Sequence, residues 1–210
     1  MTRDSHDKMS AAPCAGTPAS RARRAILRGT LAAGLGLALL QPAAADDDDK
    51  PGSDERPQPD DLFVFLEGDH AGATIKPADI PLGGPQVLAW PMDPKTKVVR
   101  DGSRLNQVLL LHLDPESLGE EMQPYAADGI VAFSAVCTHA GCPVTGWIED
   151  EGKHVLKCFC HNSEYDPRQQ AKVVFGPAPR HLAVLPVKIV DGALVAAKSF
   201  IGKVGPTQPA

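Results

Sequence analysis

The chain has 210 residues, a formal net charge of −5 and 43% apolar residues, which is enough for one core of ordinary size with appendages. Its acidic balance argues against nucleic acid or anionic lipid as a partner, because both require a basic face. Glycine (19) and proline (20) make up about 19% of the residues, against roughly 12% on average, so the composition favours a loop-rich β protein over a helical bundle.

The N-terminal 45 residues have the parts of an export signal. Arg23 and Arg24 precede an apolar run over 30–40, and small residues lead up to Ala45. Such an order is typical of secretion signals, and the arginine pair indicates the twin-arginine route. We expect 1–45 to be a signal cleaved after Ala45, with retention as a membrane anchor as the main alternative. The protein is then expected in the periplasm or on the outer face of the cytoplasmic membrane.

The segment after the expected cleavage site reads as a linker. Cleavage would remove Cys14 and leave a charge near −9, because 1–45 holds six basic and two acidic side chains. Residues 46–61 are rich in aspartate and proline and contain no apolar side chain that could join a core. They predict an acidic, disordered linker.

Short apolar runs separated by turn residues follow the linker and predict β-strands. The candidate strands are 62–66, 86–90, 108–113, 130–136, 155–158, 182–190 and 193–197. Asp191–Gly192 joins the last two of these strands, and Asp101–Gly102 lies between Val98–Val99 and the strand near Asn106. Both dipeptides are typical of two-residue hairpin turns. Helical periodicity is weak and confined to about 115–122. We therefore expect one all-β antiparallel domain over 62–203, followed by a tail at 204–210.

Two short motifs place four cysteines and two histidines close together. CTHAGC spans 137–142 and CFCH spans 158–161. Two disulfides would use the four cysteines but would leave both histidines unexplained. A zinc site of two cysteines and two histidines fits the spacing and leaves two cysteines spare. A [2Fe–2S] cluster in which two histidines replace two cysteines on one iron accounts for more of these side chains.

The motifs C-T-H-x-G-C and C-x-C-H-x-S-x-Y-D, within about 133–187, resemble the Rieske iron–sulfur proteins. The resemblance is to the disulfide-containing type of ubiquinol–cytochrome c reductase and related periplasmic electron carriers. It implies a β-sandwich or barrel-like fold with a cluster-binding subdomain at about 132–181, and one [2Fe–2S] cluster. The site residues it implies are the iron ligands Cys137, His139, Cys158 and His161, a disulfide between Cys142 and Cys160, the hydroxyl donors Ser163 and Tyr165, and a covering proline loop with Gly176 and Pro177.

Three positions depart from the pattern of quinol-oxidising members of that family. Ala140 stands where those proteins carry leucine, Phe159 where they carry proline, and Asn162 where they carry glycine. The leucine shields the cluster on the side facing the quinone pocket. Alanine in its place leaves the ligand histidines more open and weakens the expectation of quinol as electron donor.

The expected function is one-electron transfer by an exported subunit or partner of a respiratory or periplasmic oxidoreductase, with no catalytic site of its own. The expected partner is a redox protein: a cytochrome, a quinol-oxidising complex or a dehydrogenase. Membrane association would run through the N-terminal segment. The alternatives are the quinol-oxidising subunit of a cytochrome bc-type complex and the small subunit of a molybdenum oxidase. A Rieske oxygenase component, which needs a further iron domain, and a zinc protein are the least favoured.

Overall fold

The computed structural model describes residues 50–150 and 152–207. The expected signal or anchor at 1–45 and the first four residues of the linker lie outside the described residues. Within the described ranges, no helix has the length and apolarity needed to cross a membrane.

Ten antiparallel strands carry the fold of the described residues. They are β1 (Leu62–Phe65), β2 (Val87–Met92), β3 (Val108–His112), β4 (Ile130–Ser134), β5 (Gly146–Asp150), β6 (Lys153–Cys158), β7 (Ser163–Asp166), β8 (Lys172–Phe175), β9 (Val187–Val190) and β10 (Ala193–Ala196). The helical elements of the described residues are 3-10 turns at Pro77–Asp79, Arg104–Asn106, Pro115–Ser117, Gln123–Tyr125 and Pro167–Gln169. The all-β, antiparallel expectation is confirmed.

The strands form two sheets. One has six strands in the order β4-β3-β2-β1-β10-β9, and the other has four in the order β5-β6-β7-β8. The chain between the sheets pairs with the edge strand β4, where Ser134 N donates to Ala183 O at 2.8 Å and Leu185 N donates to Ala132 O at 2.9 Å. These bonds bring the two ends of the larger sheet together and give the barrel-like form that was expected.

Strand β3 separates two apolar cores. Leu109 and Leu111 pack on one face, in a cluster that includes Tyr165 of β7. Val108 and Leu110 pack on the other face, in a second cluster. Alternate residues of a strand point to opposite faces, so a strand buried on both sides reads as a continuous apolar run. The first core includes Cys137 and Cys158 and so packs against both cysteine motifs.

The hairpin predicted at Asp191–Gly192 is present. Val190 pairs with Ala193, and the turn residues have φ of +51° and +78°. Positive φ at both positions matches the right-handed twist of the flanking strands. The strand before the turn is shorter than the predicted 182–190, because its first half bonds to β4 instead.

The hairpin predicted at Asp101–Gly102 is absent. Gly102 N donates to Ser53 O at 3.1 Å, and a Cβ at Gly102 would lie 2.7 Å from the Ser53 hydroxyl. The dipeptide therefore turns the chain against the N-terminal segment rather than into a paired strand. The weak helical pattern at 115–122 corresponds to a single 3-10 turn, Pro115–Ser117.

The described part of the predicted linker is attached to the domain by polar contacts. Asp61 and Arg100 are 1% and 4% exposed and form a bidentate pair, with Arg100 Nη2 donating to Asp61 Oδ1 at 3.0 Å. Arg100 also donates to Glu55 and to Gly52 O, and Asn106 donates to Glu55 O at 2.7 Å. A segment without apolar side chains is thus anchored through one buried ion pair. Residues 204–207 of the predicted tail also pack, since Val204 is 9% exposed.

We expect Asp61→Asn to destabilise the domain by about 2 kcal/mol. Breaking a buried ion pair costs about 3–5 kcal/mol when the remaining charge has no partner, and here Glu55 still faces Arg100. Asp60→Asn is the matched control, because Asp60 pairs with Lys188 in solvent and such pairs contribute about 0–1 kcal/mol. Urea denaturation of both variants gives the measurement; equal midpoints would contradict the role of the buried pair.

Candidate metal centre

The first motif forms a tight loop directly after β4. Cys137 N donates to Cys142 O at 2.8 Å, and Gly141 N donates to Cys137 O at 3.0 Å. Gly141 has φ of +76°, a conformation that glycine adopts without strain. The loop therefore closes on itself and presents His139 and Ala140 at its tip.

The second motif forms the turn between β6 and β7. Cys158 pairs with Ser163 across the two strands, so the four residues between them make the loop. Asn162 has φ of +58°, in the left-handed region that asparagine tolerates better than most residues. This geometry explains how asparagine occupies a position where quinol-oxidising relatives carry glycine.

One disulfide ties the two loops together. Cys142 and Cys160 are bonded, with Cα atoms 6.5 Å apart and a separation of 18 positions in sequence. The predicted pairing is confirmed. The sulfurs of these two residues and of Cys158 lie within 4.8 Å of one another, but bonded sulfurs offer no thiolate. Cys158 alone among these three is therefore free to bind metal.

The predicted iron ligands lie together between the loops. Cys137 and Cys158 are free thiols, each 1% exposed. The rings of His139 and His161 are 4.6 Å apart between centroids and nearly perpendicular. His139 is half-buried and His161 is exposed. The thiols therefore point into the protein and the imidazoles lie toward the surface, as expected if cysteines hold an inner iron and histidines an outer one.

Two buried polar atoms at this place have no hydrogen-bond partner. They are His139 Nδ1 and Ser163 Oγ. A buried polar atom without a partner is costly and calls for an explanation. An iron bound to the imidazole nitrogen and a sulfide accepting from the hydroxyl would satisfy both atoms. The residues thus fit a [2Fe–2S] cluster, although the individual ligand assignments stay predictions.

Burial of the two thiols also supports a metal centre at this place. Burial raises the pKa of the Cys158 thiol, and the neighbouring Cys137 thiol raises it further. Two adjacent thiolates without a cation would be strongly unfavourable at this depth. Cys137 and Cys158 would hold iron as thiolates, and the positive charge of bound iron would offset the cost of a buried thiolate at Cys158.

Tyr165 lies beneath the first loop. It is fully buried, and its hydroxyl oxygen is 3.1 Å from Cys137 Sγ. Burial raises the pKa of the Tyr165 hydroxyl well above its usual value, so the group keeps its proton and donates to the sulfur when Cys137 is a thiolate. Thr138 also lies here and donates to Arg180 O at 2.6 Å. Sequence reasoning did not single out Thr138, although it lies inside the CTHAGC motif.

A third loop covers the second one. Gly176 has φ of +87°, and a Cβ there would lie 2.5 Å from Asn162 O and 2.7 Å from Ser163 Cα. Only glycine allows this close approach of the backbone. Pro177 follows at the surface and Ala178 is buried. The structure therefore places the predicted proline loop beside the cysteine motifs.

The lone histidines have structural surroundings. His154 stacks on Trp147 at 5.3 Å between centroids, and His70 packs against Phe65 at 5.9 Å. His112 and His181 each have Nδ1 within hydrogen-bond distance of a backbone carbonyl. Among the described residues, none of the four belongs to a group of side chains that could hold a metal ion.

We expect Tyr165→Phe and Ser163→Ala to lower the reduction potential without preventing cluster assembly. Each hydroxyl stabilises the more negative, reduced state, and a net loss of about 1–2 kcal/mol per bond corresponds to roughly 40–90 mV. Tyr125→Phe is the matched control, because this half-buried tyrosine packs against the same core, and its hydroxyl makes no hydrogen bond within the described part of the chain. Voltammetry that gives the parent potential for both site variants would show that the donors are misassigned.

Comparisons with known proteins bear on the same region. The model of the Rieske [2Fe–2S] domain matches residues 110–186. The cytochrome bc1 complex Rieske iron–sulfur subunit of Streptomyces lividans is 33% identical over 139 residues, which cover 63% of this chain and 78% of that protein. Its counterpart in Mycobacterium bovis is 34% identical over 148 residues, and the match covers 63% of this chain and 34% of that protein.

Two further similarities are more local. A Haloferax mediterranei protein named as the Rieske subunit of a respiratory nitrate reductase is 45% identical over 83 residues, 39% of this chain and 36% of that protein. The soluble domain of the Rieske protein II from Sulfolobus acidocaldarius is 23% identical, with 48% and 69% of the two chains covered and a TM-score of 0.34. The chain spans only about a third of the length of the Mycobacterium and Haloferax relatives.

The matched domain accounts for the features of the two loops. It binds one [2Fe–2S] cluster and serves electron transfer. The buried thiols, the adjacent imidazoles, the unpaired His139 and Ser163 atoms and the disulfide lie within or beside the matched residues. Because this chain covers 78% of a Rieske subunit to which it is 33% identical, it belongs to the family of Rieske iron–sulfur proteins.

Proposed function

We propose that this chain is the exported Rieske subunit of a respiratory oxidoreductase complex, accepting single electrons from a donor and passing them to a partner protein. The observation that carries the proposal is the arrangement of the ligand side chains. His161 is exposed and His139 half-buried, while both thiols are 1% exposed. The bound cluster supplies a one-electron couple. The protein shields the cysteine side of the centre from solvent and leaves the histidine side accessible to a partner.

An apolar surface next to the second loop supports contact with a partner protein. Phe159 is 60% exposed and Phe175 is 59% exposed. Phe159 lies in the loop itself, and Phe175 ends the strand that leads into Gly176. Exposed large apolar side chains that cluster on a surface are typical of interaction sites. We place the partner on the face that carries His161.

Two kinds of complex fit this proposal. The first is a cytochrome bc1-type complex, as named for the Streptomyces and Mycobacterium relatives. The second is a complex with a respiratory reductase or a molybdenum oxidase; the Haloferax relative is named as a subunit of a respiratory nitrate reductase. Ala140 favours the second, because it is exposed and offers no large side chain beside His139 to shape a quinone pocket.

Export to an oxidising compartment completes the proposal. The Cys142–Cys160 disulfide is stable only where thiols are not kept reduced, which agrees with a periplasmic position or one on the outer face of the cytoplasmic membrane. The twin-arginine route suits a protein that must acquire its cluster before crossing the membrane.

Purification from native membranes tests the proposal. The chain would carry a C-terminal affinity tag, be solubilised in mild detergent and be analysed by heme spectra, metal content and N-terminal sequencing. Haems b and c in the purified complex support the bc1-type assembly, and molybdenum supports the second. A mature N-terminus at Asp46 supports cleavage after Ala45. Recovery from the cytoplasm as a protein without redox partners would overturn the function.

A further inference from the structure

A cavity of about 730 Å³ lies beside the first cysteine loop. Its walls come from three parts of the chain: the 3-10 turn Arg104–Asn106, the loop tip at Ala140 and Gly141, and the C-terminal segment 199–206. Ligand sites for small molecules have volumes of about 300–1,000 Å³ and are usually preformed. This cavity therefore has the size of a small-molecule site.

The chemistry of the lining is distinctive. Arg56, Arg104 and Lys203 line the cavity, and none of the described residues that line it is a carboxylate. The whole chain has 26 acidic and 21 basic residues, so a site with three cations and no acid runs against its overall charge. The rest of the lining includes the apolar side chains of Leu105, Phe200 and Val204. A lining that combines cations with apolar side chains suits a ligand with a negative head and an apolar body.

The C-terminal wall is held in place. Arg180 donates through Nη1 to Thr207 Oγ1 and through Nη2 to Lys203 O, both at 3.2 Å. Val204 and Gly205 beside them are buried. The cavity is thus bounded by a fixed segment, and a ligand would bind without first ordering it.

One cation of the cavity also contacts the cysteine loop. The Arg104 guanidinium donates to the carbonyl oxygen of Gly141, which lies between His139 and Cys142 in sequence. A Cβ at Gly141 would lie 3.1 Å from Arg104 Nη2 and 3.2 Å from Pro206 Cδ, so loop, guanidinium and C-terminal wall are in close contact. A charge bound to Arg104 would therefore sit near the redox centre.

We propose that this cavity binds a small organic anion, a carboxylate or sulfonate with an apolar body, and that the anion binds the oxidised protein more tightly than the reduced one. Reduction adds a negative charge to the centre behind Gly141, and this charge repels the anion. Because coupling between two sites is reciprocal, the bound anion must lower the reduction potential by the same free energy. The cavity is thus a site through which an anion adjusts electron transfer.

Calorimetry with 2-naphthoate on the cluster-loaded mature protein tests the proposal. The expected dissociation constant is about 1 mM or lower for the oxidised protein. Binding is expected to be weaker after reduction, and the potential measured with 2-naphthoate present is expected to be lower than without it. The neutral analogue 2-naphthalenemethanol, which has the same ring and no charge, should bind much more weakly.

Matched variants locate the site. Arg104→Gln and Lys203→Gln are each expected to weaken naphthoate binding about tenfold, since each removes one charge-assisted contact. Lys95→Gln, at an exposed lysine that does not line the cavity, is the control and should bind as the parent does. An unchanged cluster spectrum shows that each variant is folded; if Arg104→Gln loses the cluster, Lys203→Gln decides. Three results would each overturn the proposal: equal binding of the alcohol, equal binding in all variants, or no binding at about 10 mM 2-naphthoate, which is about ten times the expected dissociation constant. An intact cluster spectrum in these experiments would leave the proposed electron-transfer function standing.

Discussion

Replacing Cys158 with serine, or His161 with glutamine, is expected to abolish the [2Fe–2S] cluster. The parent protein should contain about two irons and two sulfides per chain, and each variant close to none. Cys158 is 1% exposed at the end of β6, and Cys137 is the one other free cysteine among the described residues, so no nearby thiol can substitute. Serine cannot supply the thiolate and glutamine cannot supply the ring nitrogen. Metal and sulfide analysis with EPR of the reduced samples measures the loss.

The histidine change has a matched control elsewhere on the surface. His70→Gln makes the same substitution at an exposed histidine that packs only against Phe65, and the cluster should assemble as in the parent. Zinc as the sole metal of the parent protein would exclude the iron–sulfur assignment. A cluster that survives in both ligand variants would contradict the ligand set while leaving the family assignment intact.

The site was predictable from sequence because its chemistry is local. CTHAGC and CFCH each place their ligands within one tight loop, and the spacing alone restricts how the side chains can converge. The disulfide pairing followed from the resemblance, and the structure shows the same pair. The spacing could not show that the two kinds of ligand differ in solvent exposure, with Cys137 buried and His161 exposed. That difference depends on the core beneath the loops.

Three strands of the smaller sheet escaped prediction for a physical reason. Strand β7 reads Ser-Glu-Tyr-Asp and is buried at all four positions, because Tyr165 lies under the first loop and Glu164 pairs with Lys157 at 2.8 Å. Polar residues buried for the sake of a site break the alternation on which strand prediction rests. Strands β5 and β8 read GWIED and KVVF, and their apolar runs of two and three residues are shorter than the roughly four residues that predict a strand.

The predicted linker shows the limit of hydrophobicity as a guide. Residues 46–61 contain no apolar side chain that predicts burial, yet Asp61 is 1% exposed. Its partner Arg100 lies 39 residues away, and only the fold brings the two together. An ion pair between residues far apart in sequence produces no hydrophobic pattern from which it could be predicted. The domain therefore begins earlier in the chain than the apolar residues indicate.

Removing the disulfide is expected to destabilise the cluster-binding loops more than any change at the surface. In the chain-entropy model a bridge that closes a loop of 18 residues contributes about 3 kcal/mol, which corresponds to a fall of roughly 6–12 °C in melting temperature for a domain of this size. The loss of stability should be concentrated in the two cysteine loops. The two loops share no other covalent link among the described residues, and Cys160 lies at the exposed end of the bridge. Opened loops would admit water to the buried sulfurs of Cys137 and Cys158.

The double variant Cys142→Ser/Cys160→Ser tests this, because it removes the bridge without leaving a free thiol that could displace a ligand. Thermal unfolding followed by circular dichroism should report the fall in melting temperature, and bleaching of the cluster absorption should occur below the unfolding transition in the variant. The parent protein treated with a thiol reductant should approach the same behaviour, and Ser117→Ala, a hydroxyl change in the exposed 3-10 turn Pro115–Ser117, should not. Identical melting and bleaching curves for the parent and the double variant would mean that noncovalent contacts such as that of Tyr165 with Cys137, rather than the bridge, hold the two loops together.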